Sequence, residues 1–271
     1  RPLIRAMAEG IRAAAPGHLI SYHPRKGAPQ SGAFFHHDAW LAFNSVQEWP
    51  ERQIPNMTED WARTPPKPTW LFEGRYEGYW KSNYKPADWG AWQMRQQAYQ
   101  TVLAGAFGHT YGHERTFGFG LDGAVWRDFI DAPGARNMTA LAKLMADLPA
   151  SFLLRREPDQ SLLDGDVGKA ERLISTRITA TRTRDGRQAV IYSASGRPIR
   201  LNLDRLANGP LHAAWYNPRT GRWHVNGVER DARAPFATVQ GGAGEEVREF
   251  SPPSQGAGED WVLVLDADTK S

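Results

Sequence analysis

Two carboxylates stand four residues apart in Lys67-Pro-Thr-Trp-Leu-Phe-Glu-Gly-Arg-Tyr-Glu-Gly78. Glu73 ends a short apolar and aromatic run abruptly, and Glu77 follows within a turn's length. Paired carboxyl groups can break a glycosidic C–O bond through an oxocarbenium-like transition state. One protonates the leaving oxygen, and the other attacks the anomeric carbon or activates water. Thirty-odd residues on, the apolar run Val102-Leu-Ala-Gly-Ala-Phe107 stops at His109-Thr-Tyr111. Polar residues at the carboxyl ends of successive buried segments are how a (β/α) barrel assembles an active site, because the loops there converge on one mouth.

The elements that must hold these residues alternate over residues 1–150. Ile4 to Ala15 has helical periodicity and stops at Pro16-Gly17. Leu19–His23, Trp40–Asn44 and Thr69–Phe72 are strand-sized apolar runs, and a helix carrying Glu59, Asp60 and Trp61 precedes the break at Pro65-Pro66. Asp88 to Phe107 is helix-compatible, with Asp88 as N-cap, and Met138 to Leu148 has apolar residues at helical spacing. Strand–helix alternation predicts a parallel sheet. After about residue 150 come short β-rich runs: Ile174–Thr183, Gln188–Ser193, Ile199–Leu203, Ala213–Asn217 and Trp261–Asp266. Turn dipeptides separate them, among them Asp185-Gly186, Thr220-Gly221 and Asn226-Gly227. The expected architecture is α/β: residues 1–150 as a set of barrel units too few to close, and residues 151–271 as a small antiparallel sandwich.

Composition narrows the function. The chain of 271 residues has no cysteine, which removes disulfides, thiolate metal sites and cysteine nucleophiles. The formal charge of +3 comes from 33 basic and 30 acidic residues that are interspersed, so no nucleic-acid footprint is expected. No apolar run is long enough for a membrane span. The glycine-rich stretch at 254–258 neither follows a strand nor opens a helix, so no dinucleotide cofactor is expected. His36-His37-Asp38 has the look of a metal cluster, but adjacent side chains point apart and no spaced third ligand follows, so no metal is expected either. Eleven tryptophans are the outlier. Trp70 and Trp261 sit in apolar runs as core residues. Trp40, Trp49, Trp61, Trp80, Trp89, Trp92 and Trp126 lie in polar surroundings, where indole rings can stack on sugar C–H faces.

The order Ile20-Ser-Tyr-His-Pro24, Asp38-Ala-Trp-Leu-Ala-Phe-Asn44 with Gln47, Phe72-Glu-Gly-Arg-Tyr-Glu-Gly78 and Ala104-Gly-Ala-Phe-Gly-His-Thr-Tyr-Gly112 resembles the apiosidase-like glycoside hydrolase domain. Pro133–Met138 and Ala213–Gly221 are similar to the rest of that family's layout, in which the barrel precedes a β-domain labelled collagen-binding after a collagenase. The resemblance implies the C-terminal half of a (β/α)8 barrel, with strands five to eight ending at His23, Asn44, Glu73 and His109. It implies a retaining glycosidase acting on plant-type polysaccharides, with Glu73 as nucleophile and the acid/base, an Asp, upstream of Arg1. It also implies secretion or a periplasmic location for the full-length protein; this chain carries no signal peptide and opens without Met, as a fragment or processed piece would.

For Glu73 the plain alternative is a salt bridge to Arg75 or Arg115. Glu77 is expected to orient the Glu73 loop or bind a hydroxyl. Tyr111 is expected to donate to the nucleophile and His109 to a sugar hydroxyl. His23, Asn44 and Gln47 take equivalent strand-end positions, and Trp126 is a candidate stacking platform. The partner expected is an oligo- or polysaccharide; the sequence sets no oligomeric state. The competing function is a non-catalytic carbohydrate- or matrix-binding protein working through the β-domain, with Trp215, Tyr216 and Trp223 either exposed for binding or packed between sheets.

Overall fold

The structure is a computed structural model that describes residues 1–79, 89–119, 123, 125–170, 175–242, 244 and 247–267. Trp80, Asp88 and Ile174 lie outside the described residues. The first region runs α1 (Pro2–Ala14), α2 (Gly32–Phe35), β1 (Asn44–Gln47), α3 (Pro50–Trp61), β2 (Thr69–Glu73), α4 (Ala91–Leu103), β3 (Gly108–His109), α5 (Glu114–Phe117), α6 (Pro133–Asp147) and α7 (Ala150–Arg155). Strands β1, β2 and β3 make a parallel sheet in sequence order. Pro50 and Pro133 open α3 and α6 at positions where the missing N–H costs nothing.

Two expected strands take a different form. Leu19–His23 makes a single parallel bridge, Ile20 to Leu41. The Ser21 hydroxyl, not a main-chain amide, donates to Phe43 O at 2.7 Å, so a side chain takes the place of a ladder bond. The next strand begins at Asn44 where the sequence suggested it would end, because the bridge at Leu41 and the turns around it consume the more apolar residues. Val46 and Leu71 point to the helices, where they pack with Ile54, Met57 and Ala106. Phe43, Trp70, Phe72 and Phe107 meet on the opposite face, with ring centroids 5.1–6.5 Å apart.

The second region holds β4 (Arg156–Pro158), β5 (Ile178–Thr183), β6 (Gln188–Ser193), β7 (Ile199–Asn202), β8 (Gly209–Asn217), β9 (Arg222–Val225), β10 (Val228–Arg230), β11 (Ala237–Gly241), β12 (Val247–Phe250) and β13 (Trp261–Asp266). Eight of these form one antiparallel sheet, in which β13, last in sequence, lies between β8 and β6. The remaining pair, β7 and β12, forms a small second sheet. Every residue of β6 and β13 is buried, and alternation divides them between two cores. Ala189, Ile191, Leu263 and Leu265 face Ile199, Leu201 and Phe250 of the small sheet. Val190, Tyr192, Val262 and Val264 face α4, α6 and α7 through Tyr99, Leu144 and Phe152.

Helix α4 therefore lies between the two sheets, and it is buried nearly all round although Gln93, Arg95, Gln96, Gln97 and Gln100 are polar. Burial of such groups is costly unless each finds a partner. Gln96 Nε2 donates to Ser175 O at 3.0 Å, Gln100 Nε2 to Ser175 Oγ at 2.6 Å, and Trp92 Nε1 to Ala194 O at 2.8 Å. Arg95 makes a forked ion pair with Asp260, at 2.7 Å for Nη2 and 2.9 Å for Nε, and Tyr192 Oη donates to the same carboxylate at 2.9 Å.

Candidate active site

The C-terminal edge of the parallel sheet opens into a cleft whose walls include Lys26, Gln47, Trp49, Glu73, Tyr76 and Phe117. Glu73 reaches it because the β1–β2 register slips: Val46 pairs with Leu71, yet Gln47 pairs with Glu73. Such a bulge re-aims the side chains beyond it. Without the slip, Glu73 would share the face of Leu71 and point at the helices. Gln47, at the end of β1, lines the same cleft opposite Glu73.

The Glu73 carboxylate is held at both oxygens. Tyr76 Oη donates to Oε1 at 2.9 Å, and His23 Nε2 lies 3.2 Å from Oε2. Burial, then the bond to Glu73, pushes the Tyr76 phenol far above its ordinary range, so it remains a donor. The Tyr76 ring packs on Phe117 at 5.3 Å, and the His23 ring on Phe72 at 4.9 Å. Trp49 flanks the cleft, with Lys26 Nζ 4.0 Å and the Arg75 guanidinium 4.2 Å from its ring centre. The Arg75 guanidinium also lies against Tyr79 and Trp89, at 4.6 and 4.8 Å. Two further carboxylates, Glu48 and Glu114, line the cleft. Glu48 spends both oxygens on structure: Oε2 accepts from Gly27 N and Trp49 N, and Oε1 lies 3.4 Å from Arg52 Nε.

Five sequence candidates stand elsewhere. Glu77 is buried, with both oxygens accepting from Gly134 N at 3.0–3.1 Å and Oε2 accepting from Tyr111 Oη at 2.6 Å. It is an anchor for the N-terminus of α6, where a carboxylate is favoured by the helix dipole. A Cβ on Gly134 would fall 2.3 Å from Glu77 Oε2, so only glycine admits this approach. Tyr111 thus serves Glu77, and the donor to Glu73 is Tyr76. His109 pairs with Leu71 in the sheet and so faces the helices with it. Its Nε2 lies 3.1 Å from Gln97 Nε2, and burial holds its pKa down to about 4. Asn44, at the start of β1, is fully buried beside His36, 3.3 Å from Nδ1. Trp126 is half-buried next to Phe119 and Arg127.

Of the other tryptophans set apart by the sequence, Trp49 reaches the cleft. Trp40 and Trp89 are buried, Trp92 bonds to Ala194 O, and Trp61 borders a separate groove with Leu154 and Arg184. Tyr76, missed in the sequence, had a signal: it stands one helical turn's spacing after Glu73 within the same motif. Lys26, Glu48, Glu114 and Phe117 carried none, since each reaches the cleft from a loop or short helix.

The apiosidase-like catalytic domain model matches residues 1–151, more than half of the chain. The chain belongs to the apiosidase-like family. The model described as "Putative collagen-binding domain of a collagenase" matches residues 158–266. Among solved structures, this apiosidase-like chain is similar to one titled "Glycoside hydrolase", at 25% identity and a TM-score of 0.80, covering 98% of this chain and 61% of that one. It is similar also to a glycoside hydrolase family 5 protein from Bacteroides vulgatus ATCC 8482, at 27% identity and a TM-score of 0.80, covering 98% and 60%. The chain thus spans about three fifths of the length of these structures. No curated protein matches it.

Proposed function

We propose that this apiosidase-like chain carries part of the active site of a retaining glycoside hydrolase that acts on plant-type polysaccharides, with Glu73 as nucleophile. The observation that supports this is the Glu73 carboxylate at a strand's C-terminal end, turned into an aromatic cleft by the register slip and held by Tyr76 and His23. In this reading residues 1–150 are the second half of a (β/α)8 barrel, and 151–271 the β-domain that follows.

A retaining glycosidase needs a second carboxyl about 5–5.5 Å from the first. The family resemblance implies that the acid/base is an Asp at a strand end preceding residue 1; Glu48 is committed to backbone amides and Arg52, and Glu77 to α6. General acid catalysis contributes about 10²–10⁴-fold, so residues 1–271 alone should turn over little substrate. A purely binding role for the β-domain is disfavoured, because Trp215, Tyr216 and Trp223 are buried and offer no ring face to a ligand.

Glu73→Gln in the full-length protein keeps the side chain's shape and removes its charge. Turnover of aryl glycosides and pectic oligosaccharides should fall by roughly 10³-fold or more, with substrate binding retained. Near-normal hydrolysis by the purified variant would remove Glu73 as nucleophile.

A further inference from the structure

We propose that Gln97 is a positioning residue for the Glu73 carboxylate, through which the antiparallel region sets the geometry of the cleft. This rests on Glu73 being the reacting group.

The Gln97 side chain holds the peptide of Arg75 on both sides. Its Oε1 accepts from Arg75 N at 2.7 Å, and its Nε2 donates to Arg75 O at 3.3 Å. Oε1 also accepts from Gln53 Nε2 at 2.9 Å, and Nε2 lies 3.1 Å from His109 Nε2. A carboxamide has two N–H donors and two lone pairs, and here all four are used. Because a main-chain N–H only donates and a carbonyl only accepts, Arg75 fixes which way round the amide lies. His109 Nε2 must then accept, which requires a neutral imidazole with its proton on Nδ1. Burial keeps the ring in that form.

Residues 74 and 75 lie between Glu73 and Tyr76, the two members of the carboxylate pair. A Cβ on Gly74 would come within 2.4 Å of the Gln97 amide, so the loop is pressed against α4 with no room to spare. Other side chains of α4, Trp92, Arg95, Gln96 and Gln100, fasten it to the antiparallel region. Moving that helix would carry the Arg75 peptide, and with it the Tyr76 hydroxyl, away from Glu73. Catalytic geometry requires such outer support, since a displacement near 1 Å can cost about 10²-fold in rate.

The test compares Gln97→Met with Gln100→Met. Both remove a buried amide of α4, but among the described residues the Gln100 amide donates to Ser175 and Arg177 of the antiparallel region. The glutamate carboxyl ¹³C spectrum at neutral pH, with the Glu73 signal assigned by its loss in Glu73→Gln, reads the site without substrate. In Gln97→Met the Glu73 carboxyl signal should move, because the Tyr76 hydroxyl that donates to it is displaced. Gln100→Met should leave it in place while lowering the melting temperature to a similar degree. On an aryl glycoside, Gln97→Met should lose about 10–100-fold in kcat with KM little changed. Should Gln97→Met fail to fold, Gly74→Ala disturbs the same contact. An unmoved Glu73 signal in these variants, or an equal displacement in Gln100→Met, overturns the positioning role. A displaced signal in Gln97→Met, with a parent protein that hydrolyses no glycoside, overturns the hydrolase reading and leaves the positioning intact.

Discussion

The two sheets are covered differently. The antiparallel sheet has a core on each face, one under the β7–β12 pair and one under the helices, and its central strands are buried throughout. The parallel sheet is covered by helices on one face, while its other face keeps Phe43, Trp70 and Phe72 half-buried and Phe107 50% exposed. The difference teaches where each region puts its polar groups. Covered on both sides, the antiparallel sheet spends its buried polar groups on joining α4. The parallel sheet ends in side chains that meet at an open cleft, and their positions depend on loops and on that same helix.

The severest test of this comparison is the joint itself. Asp260→Ala leaves the buried Arg95 guanidinium without its carboxylate and Tyr192 Oη without its acceptor. Removing one partner of a buried pair costs about 3–5 kcal/mol, which should lower the melting temperature by roughly 10 °C. Calorimetry should show one transition moving as a whole, because the helix that is loosened is hydrogen-bonded to both regions. Two separate transitions, with one unmoved, would mean that the regions are joined only by adjacency.

A smaller effect separates the two carboxylates that the sequence sets side by side. Glu77→Gln removes the charge; with its carbonyl oxygen accepting from Tyr111 Oη and Gly134 N, its NH2 faces the Gly134 N–H, which loses the second of its two acceptors. Stability should drop by about 1–3 kcal/mol in chemical denaturation. Glu73→Gln, on a half-exposed carboxylate, should change it by about 0.5 kcal/mol or less. Equal losses would erase the distinction between an anchor and a reacting group.

Much of this was readable in the residues, and the misses have common physical causes. The bounds of β6 and β13 match the apolar runs 188–193 and 261–266 because both faces of those strands are buried, leaving no polar interruption. The turn signals Thr220-Gly221 and Asn226-Gly227 enclose β9, though its residues Arg222–Val225 are too polar to announce a strand. Glu73 was legible as a carboxylate ending a strand, but the slip that turns it into the cleft depends on pairing with β1. His109 was misplaced for the same reason: its face is set by its pairing with Leu71, which composition does not encode. Nothing in Gln93–Gln100 distinguishes a buried junction from a solvated helix until its partners, some eighty to a hundred and sixty residues away, are in place.

The last prediction concerns pH, where the two regions should differ between about pH 4 and 6.5. In the antiparallel region the perturbed carboxylates Asp159, Asp166, Asp185 and Glu259 are all lowered, so their contribution is lost only in more acidic solution, below the ordinary carboxylate range. The parallel region holds groups of opposite sense: burial raises Asp60 and lowers His109 and His113. Burial raises Asp60 to about 6 in spite of Arg63, so the folded protein keeps a proton that the unfolded chain has released. That contribution weakens stability as pH rises from about 4 to 6. Burial lowers His109 to about 4, so below its ordinary 6.5 the unfolded chain takes up a proton that the folded protein refuses. That contribution strengthens stability as pH rises from about 4 to 6.5. Asp60 and the histidines oppose each other in the parent protein, and substitution separates them. Relative to the parent, the melting temperature of Asp60→Asn should climb across this window, because the histidines then act unopposed by Asp60. That of His109→Gln, which keeps an acceptor for Gln97, should fall. Thermal scans at half-unit pH intervals would read both slopes, and parallel curves for the three proteins would place the pH response outside these two groups.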